Sequence, residues 1–324
     1  MRHLLYCFFS LAAGLLAPSA GAQTQTYPDK PITLVIPFTP GGGTDIVAKT
    51  VSQKLEAALG QPLVMEHRPG ANGIIANQYV ARKEPDGYTL LFGSNSTQVI
   101  APLLAKDKNT MAQTLRDFTM VGTVGNTTLV LAVSAKSPIK TLAQYLEATK
   151  TKPLSYGTFG LGSSPHLMGE VLSSTQKAPM LHIPYKGSAP AVTDLAGGHT
   201  DSVFLTVSAV SSHITSGDVR ALAVTGSSRI PSLLDVPTFE ELGVKGLDDG
   251  GWFAVLTPAK TPPAVIKKLS DAMMKTTSDP AMQKRLLELG LVATVVTPEQ
   301  SQITWARTVK AVENVLKTTK IQME

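Results

Sequence analysis

The chain has 324 residues, a formal charge of +5 and 43% hydrophobic residues. Its mild excess of Lys and Arg forms no basic run with interleaved aromatic residues, so composition gives little support for nucleic-acid binding. Cys7 is the only cysteine, which excludes disulfides, cysteine nucleophiles and thiolate metal sites from the rest of the sequence. The length is ample for a large apolar core and is more typical of two lobes than of one.

The first 22 residues have the pattern of a secretory signal peptide. A basic start at Arg2 and His3 precedes an apolar run over residues 4–16, and Ala20-Gly21-Ala22 fits an A-x-A cleavage site. That run is shorter than the roughly 20 residues that a membrane-spanning helix needs. We therefore expect cleavage before Gln23 and an exported mature protein, whose charge falls to +4 because Arg2 is lost and no acid is removed.

From Ile32 onward, short β-rich runs alternate with amphipathic helical stretches. In the first helical stretch, apolar residues from Ile46 to Leu59 share one face, and Gly60 ends the pattern. Such alternation predicts an α/β fold with mainly parallel sheets flanked by helices. The predicted strands are ITLVIPF, PLVMEHR, YTLLFGS, TTLVLAVSA, LSYGTFG, MLHIPY, SVFLTV, RALAVT and WFAVLTP.

The C-terminal third is predicted to be helical. Asp279 and Thr297 each precede a proline, which places a capping residue before a proline in the first helical turn. Thr297 and Gln300 also have the spacing of a capping box. Gly290 is expected to close the first of these helices.

Two strand–loop–helix units echo each other. TLVIPF-TPGGGT-DIVAKTV contains the first glycine loop (residues 38–45), and LSYGTF-GLGSS-PHLMGEVL contains the second glycine loop (residues 158–166). A glycine-rich turn entering a helix offers unpaired N–H groups and a positive dipole end, which suit a carboxylate or phosphate. One such loop is as well explained by a tight turn, but two loops facing a crevice between lobes predict a clamp for an anion.

Side chains in the two glycine loops have alternative roles. Ser163 and Ser164 could cap the helix or donate to a ligand. His166 either faces the cleft or is a partly buried residue that is hydrogen-bonded to the backbone. Asp45 is better explained as a loop anchor or a first-turn dipole partner than as a ligand contact, because its carboxylate would repel an anion.

Signatures of catalysis and metal binding are missing from the sequence. It contains no G-x-S-x-G elbow, P-loop lysine motif, H-E-x-x-H pair or complete G-x-G-x-x-G fingerprint. His166 and Glu170 share a helix face, but two ligands are too few for a zinc site. We expect no enzymatic activity, metal or cofactor; an exported hydrolase using Ser163, Ser164 or His166 is the alternative.

Several segments together resemble one family. They are YPDKPITLVIPFTPGGGTDIVAK, LGQPLVMEHRPGANG, EPDGYTLLFGS, LSYGTFGLGSSPHLMGE, HIPYKGSAPAVTDLAGG and RALAVTGSSRIPSLLDVPTFEELG. Over essentially the whole mature length, the chain is similar to the extracytoplasmic solute receptors of tripartite tricarboxylate transporters, the Bug receptors. The resemblance implies a monomeric, periplasmic, two-lobed binding protein of type II-like fold that closes around a small carboxylate, either a di- or tricarboxylate or an aromatic acid. It also implies delivery to a two-component inner-membrane permease, while a periplasmic sensor would use the same binding chemistry.

The resemblance also implies which residues form the site. In that family, two loops equivalent to the glycine loops hold ligand carboxylates through backbone and hydroxyl donors and bridging waters. The turn at residues 94–97 and the segment at 185–188 would line the sides. The residues expected to contact the ligand are Phe38, Pro40, Gly41, Gly42, Gly43, Thr44, Asp45, Ser94, Asn95, Ser96, Thr97, Thr158, Phe159, Gly160, Gly162, Ser163, Ser164, His166, Tyr185, Leu205 and Thr206.

One segment departs from the family pattern. Where many relatives continue with Asp-Asn-Leu-Pro, this chain has leucine at position 205, followed by Thr206-Val207-Ser208. The family aspartate could receive a ligand amine, whereas leucine cannot. We therefore expect a ligand that lacks an amine and carries an apolar or aromatic body.

The lobe boundaries are expected where strands cross between the lobes, near VGTVGNTTLV and RALAVTGS. One lobe would comprise residues 23–124 together with 226–324, and the other would comprise residues 125–225. Closure of the lobes would present a new surface to the permease, so the ligand must bind the closed state preferentially.

Overall fold

The computed structural model describes residues 27–319 and 321. The expected signal peptide, residues 1–22, lies outside this part of the chain. Within the described residues, every helix is too short or too polar to cross a membrane.

The described chain alternates strands and helices for most of its length. The strands are β1 (Ile32–Ile36), β2 (Leu63–His67), β3 (Thr89–Ser94), β4 (Phe118–Thr127), β5 (Leu129–Ser134), β6 (Leu154–Thr158), β7 (Met180–Pro184), β8 (Ser202–Thr206), β9 (Val219–Val224), β10 (Trp252–Pro258) and β11 (Leu291–Ala293). The helices are α1 (Gly43–Leu59), α2 (Ile74–Ala81), α3 (Ala101–Leu104), α4 (Thr110–Asp117), α5 (Leu142–Thr151), α6 (Ser164–Gln176), α7 (Ser188–Gly197), α8 (Val207–Thr215), α9 (Pro263–Thr277), α10 (Pro280–Glu288) and α11 (Pro298–Thr318).

The strands form two mixed sheets flanked by helices, and this two-lobed α/β fold confirms the expected architecture. The first sheet has the order β11-β4-β10-β3-β1-β2 and the second has the order β7-β6-β8-β5-β9. β1 and β6 have parallel neighbours, but β4 pairs antiparallel with β10 and β5 pairs antiparallel with β9. Both sheets are therefore mixed rather than mainly parallel. In each sheet, the strand through which the chain leaves lies antiparallel beside the strand through which the chain enters.

Every strand predicted from the sequence is present, together with the predicted helix caps. Gly60 has a left-handed φ of 72° and ends α1, as expected. Asp279 caps α10 by accepting a hydrogen bond from the Met282 N–H. Thr297 and Gln300 form both hydrogen bonds of the capping box at the start of α11.

The chain crosses between the sheets twice, along paths that lie side by side. It leaves the first sheet at the β4–β5 junction and returns through residues 225–251. The Thr127 N–H donates to the Gly251 carbonyl at 2.9 Å, and the Thr225 N–H donates to the Leu129 carbonyl at 2.9 Å. The two crossings are thus joined by backbone hydrogen bonds.

Hydrophobic packing positions both glycine loops. Val47, Val51 and Leu55 of α1 are buried against the first sheet, while Leu167 and Leu172 of α6 belong to a second buried cluster. Burial of each such side chain contributes about 1.5–3 kcal/mol. Each loop follows the carboxyl end of a buried strand, β1 or β6, which is where ligands bind in open α/β sheets.

Candidate functional site

The two glycine loops meet between the sheets. The rings of Phe38 and Phe159 pack edge to face with centroids 5.1 Å apart. The Ser96 Oγ lies 2.9 Å from the Ser164 Oγ and accepts a hydrogen bond from the Ser164 N–H at 2.9 Å. Because residues on opposite sheets touch at these points, the structure represents a closed conformation.

Asp45 anchors the first glycine loop. Its Oδ2 accepts hydrogen bonds from the Gly41 N–H at 2.8 Å and from Lys49 Nζ at 2.7 Å, while His67 Nε2 lies 2.7 Å from Oδ1. Burial alone would raise the pKa of the Asp45 carboxyl, but the hydrogen bonds from Lys49, Gly41 and His67 together lower it. Both carboxylate oxygens are occupied, which agrees with the loop-anchor interpretation.

In the second glycine loop, the neutral side chain of His166 has the role that Asp45 has in the first: it accepts a hydrogen bond from the N–H of a glycine four residues earlier. Gly41 and Gly162 both have left-handed φ values, 81° and 71°, and the Gly162 N–H donates to His166 Nδ1 at 3.0 Å. The Ser163 Oγ caps α6 by accepting from the His166 N–H at 3.4 Å, and it donates to the Gly160 carbonyl at 2.6 Å. Because His166 Nδ1 accepts, a neutral imidazole carries its proton on Nε2.

A cluster of titratable side chains lies behind the second glycine loop. His166 stacks on His182 with ring centroids 3.8 Å apart, and His182 Nε2 lies 2.7 Å from Thr158 Oγ1. The Tyr156 hydroxyl donates to Glu170 Oε1 at 2.6 Å. Burial lowers the pKa of His166 to about 4, and burial together with His166 lowers the pKa of His182 to about 3. Both histidines are therefore neutral near pH 7, and His166 matches the buried interpretation.

The expected side wall at residues 94–97 is mostly a self-contained turn. The Ser94 N–H donates to Thr97 Oγ1 at 3.0 Å, which closes the turn. The Asn95 side chain lies against the backbone of Gly251, where a Cβ atom would come within 2.2 Å of the Asn95 carboxamide carbon. Ser96 extends across to the second glycine loop, as described above.

Leu205 and Thr206 lie on β8 in different surroundings. Leu205 is fully buried in the apolar cluster that contains both phenylalanines of the loops, so it packs behind them. Thr206 Oγ1 accepts a hydrogen bond from the Ser208 Oγ at 3.0 Å. A Cβ atom at Gly43 would lie 2.2 Å from Thr206 Oγ1, so the start of α1 packs tightly against this strand.

Open volume remains beside the Phe38–Phe159 contact, in a cavity of about 260 Å³. The cavity lies between residues that follow β1 and β2 on one side and residues that follow β6 and β7 on the other. Residues 70–74 are absent from the set expected at the site, although the glycines of RPGANG are the same kind of signal as those of the glycine loops. The lining residues are Phe38, Gly70, Ala71, Asn72, Ile74, Phe159, Gly160, Leu161, Pro184, Tyr185 and Lys186.

The free backbone donors differ between the two helix starts. In α1 the first intrahelical bond runs from the Ile46 N–H to the Gly42 carbonyl, so the N–H groups of Gly43 and Thr44 precede the helical ladder. In α6 the N–H of Ser164 donates to Ser96, and Pro165 has no N–H. An anion would therefore find N–H donors at α1, and it would have to displace Ser96 to reach the N–H of Ser164.

The geometry does not form the nucleophile–base pair that a hydrolase would need. The Ser163 hydroxyl bonds to the backbone, the Ser164 hydroxyl pairs with Ser96, and His166 Nδ1 is occupied by the Gly162 N–H. The described residues also contain no group of three His, Cys, Asp or Glu side chains placed to hold a metal ion.

Comparisons with known proteins place the chain in a family. The model of the tripartite tricarboxylate transporter family receptor matches residues 47–320. BugT of Bordetella pertussis is 35% identical over 296 residues, covering 91% of this chain and 90% of BugT. Rpa4515 of R. palustris, solved with adipate, is 31% identical with a TM-score of 0.87, covering 91% of this chain and 99% of that chain. MatC (Rpa3494) of Rhodopseudomonas palustris, solved with bound malate, is 27% identical with a TM-score of 0.83, covering 90% of this chain and 100% of that chain.

These matches confirm the resemblance inferred from the sequence segments. They extend along nearly the whole described chain, and the two solved relatives reproduce both lobes. The protein is a solute-binding receptor and not an enzyme, and it belongs to the tripartite tricarboxylate transporter family receptors.

Proposed function

We propose that this receptor captures a small carboxylate between its two lobes in the periplasm and delivers it to a two-component tripartite tricarboxylate transporter permease. The ligand is a di- or tricarboxylate or an aromatic acid. The observation that carries the proposal is that the second glycine loop meets the opposite lobe at two points: Phe159 packs on Phe38 of the first glycine loop, and the Ser164 N–H donates to Ser96 of the turn after β3. A ligand carboxylate offers the same acceptor chemistry as that serine oxygen.

The starts of α1 and α6 both offer donors for a carboxylate. The N–H groups of Gly43 and Thr44 lie at the positive end of α1, and hydroxyls of Ser96 and Ser164 lie at the start of α6. Each hydrogen bond to a charged group contributes about 1.5–3 kcal/mol. Micromolar binding corresponds to about −8 kcal/mol, so several such bonds are needed together with burial of the body of the ligand.

The proposed lobes are residues 23–124 together with 226–324, and residues 125–225. The sheet topology supports this division, because the strands change sheet between Thr127 and Leu129 and again between Val224 and Trp252. The relatives solved with adipate and with malate support a carboxylate as the ligand.

Calorimetric titration tests whether the protein binds a carboxylate. Adipate, malate and terephthalate are each compared with their dimethyl esters. The esters keep the shape of the acids but remove the charge, so at least one acid should bind while its ester does not. Binding should also raise the unfolding temperature in proportion to the logarithm of ligand concentration. Equal binding of an acid and its ester, or no binding of any acid, would contradict the proposal.

Uptake of the radiolabelled acid tests delivery. Cells that carry the permease should accumulate label when the receptor is present and should lose uptake when the receptor is deleted. If uptake continues without the receptor, the protein does not deliver ligand to the permease, and a sensory role is favoured.

A further inference from the structure

Asn72 presents an unpaired carboxamide at the cavity between the lobes. Both its Nδ2 and its Oδ1 are buried and have no hydrogen-bond partner. Among the carboxamide side chains that the structure describes, it is the one that leaves both its nitrogen and its oxygen buried and unpaired. Such groups are rare in folded proteins because desolvation without a partner is costly, so the arrangement calls for a missing partner.

The backbone holds Asn72 in an unusual conformation. Gly70, Ala71, Asn72 and Gly73 all have positive φ values, of 138°, 45°, 47° and 92°. Asparagine tolerates the left-handed region better than most residues, but consecutive positive φ values of this kind persist only where the surroundings enforce them. The surrounding structure therefore holds this segment in a conformation that a relaxed turn would not adopt.

Packing fixes the position of this segment against the neighbouring loop. A Cβ atom at Gly73 would lie 2.5 Å from Thr97 Cγ2 and 3.3 Å from Pro37 Cβ. Glycine at position 73 lets the backbone approach the turn after β3 closely. The Asn72 carboxamide is consequently presented from a rigid support, as a specificity-determining group requires.

Closure brings Asn72 against the opposite lobe. The position where a Cβ of Gly160 would lie is 3.5 Å from Asn72 Oδ1, so the second glycine loop covers the carboxamide. In an open form, water would pair with these atoms. An empty closed form loses that water and gains nothing, so a ligand group that pairs with Asn72 would favour closure specifically.

The other lining groups define the body of such a ligand. The rings of Phe38 and Phe159 present an apolar, aromatic surface. The Tyr185 hydroxyl donates to Asp194 Oδ2 at 2.7 Å, which leaves its ring to line the cavity. Lys186 is exposed at the rim and attracts anions to the opening. A volume of about 260 Å³ is at the small end for ligand pockets.

We propose that Asn72 forms a subsite for a neutral group that both donates and accepts, a hydroxyl or carboxamide borne on an apolar ring, at the far end of the ligand from its carboxylate. This inference rests on the proposed capture of a carboxylate and narrows its ligand class. A second carboxylate would pair with Nδ2 but would repel Oδ1, whereas a neutral carboxamide or hydroxyl satisfies both atoms.

Titration with 4-carbamoylbenzoate and terephthalate tests the subsite, because the two acids differ only in the group at one end. Wild-type protein should bind 4-carbamoylbenzoate about tenfold more tightly than terephthalate. Asn72→Gly keeps the backbone conformation accessible and should abolish this preference. Lys177→Gly is the matched control, since Lys177 is exposed and also has a positive φ of 50°, and it should leave the preference unchanged.

The outcomes separate the two proposals. If wild-type protein binds adipate or terephthalate but shows no preference for the carboxamide, or if Asn72→Gly retains that preference, the Asn72 subsite is wrong and carboxylate capture stands. If the methyl ester of 4-carbamoylbenzoate binds as tightly as the acid, or if none of these acids binds, carboxylate capture itself fails and the subsite fails with it.

Discussion

His166 and His182 stack as neutral rings directly behind the second glycine loop, and this arrangement predicts a pH dependence of stability. Their pKa values, about 4 and about 3, lie below the ordinary value of 6.5. Between pH 4 and pH 6.5 the unfolded chain binds more protons than the folded chain. The free energy of unfolding is therefore retained above pH 6.5 and falls as the pH drops towards 4. We expect His166 alone to account for a loss of about 2 kcal/mol between pH 7.5 and pH 5.

Urea denaturation of wild type and His182→Gln at both pH values measures this effect. The variant lacks one of the two rings, so its free energy of unfolding should fall less on acidification than that of wild type. His199→Gln is the control, because His199 is exposed, and it should follow wild type. Parallel losses in wild type and His182→Gln would show that the stacked pair does not set the acid sensitivity.

Local helix-capping chemistry made several of these residue roles predictable. Asp45 as a loop anchor, Ser163 as a cap and a backbone-bonded His166 all follow from contacts within four residues along the chain. The Ser96–Ser164 contact joins residues 68 positions apart, and the unpaired state of Asn72 depends on Gly160. Neither could be read from local spacing, because each exists only once the lobes have closed.

At the scale of the elements, the start of α1 packs against β8 and α8 with no room for a side chain. A Cβ atom at Gly43 would lie 2.2 Å from Thr206 Oγ1, 2.6 Å from Ser208 Oγ and 3.2 Å from the Ala209 nitrogen. Gly43 and these neighbours belong to opposite lobes. We therefore expect Gly43→Ala to hold the lobes apart and to weaken carboxylate binding at least about tenfold, a change of about 1.4 kcal/mol.

Calorimetry with the preferred acid and small-angle scattering with that acid present would measure the effect. Alanine is a better helix former than glycine, so α1 itself should stay folded. Gly122→Ala on β4 is the matched control, since its Cβ would meet Met273 Cβ at an ordinary 3.5 Å. If Gly43→Ala binds and compacts like Gly122→Ala, the α1 contact does not govern closure.

The secondary structure was largely predictable because most strands combine β-branched residues with flanking turn residues. β11 was missed: Leu291–Ala293 has three residues between helices and exists through its pairing with β4. β4 itself (Phe118–Thr127) was also absent from the predicted strands and was anticipated only as a crossing near VGTVGNTTLV. The mixed character of the sheets was also missed, because strand direction depends on which crossing the chain takes. No local pattern distinguishes a strand that stays in its sheet from one that leaves it.

For the whole molecule, the contact between Ser96 and Ser164 offers a way to lock the closed state. Their Oγ atoms are 2.9 Å apart, so cysteines at both positions would bring two sulfur atoms into contact. Since Cys7 is the only native cysteine, no other bridge competes within residues 27–324. The oxidised Ser96→Cys/Ser164→Cys variant should remain compact without ligand, whereas its reduced form should open.

Small-angle scattering, measured with and without reductant, checks this expectation. The two single-cysteine variants serve as controls and should respond to neither oxidant nor reductant. If the bridge forms but the scattering profile matches that of the reduced form, the contact between Ser96 and Ser164 does not hold the lobes together.

The paired crossings between the sheets determine how such a protein can move. A body held to another by a single strand can twist and tilt freely, but two adjacent strands joined by hydrogen bonds, as at Thr127–Gly251 and Leu129–Thr225, resist twisting about either one. The pairing therefore favours bending of the lobes about the crossings over twisting between them. We expect Phe38 and Phe159, which are carried by the two glycine loops, to meet in the same register at every closure.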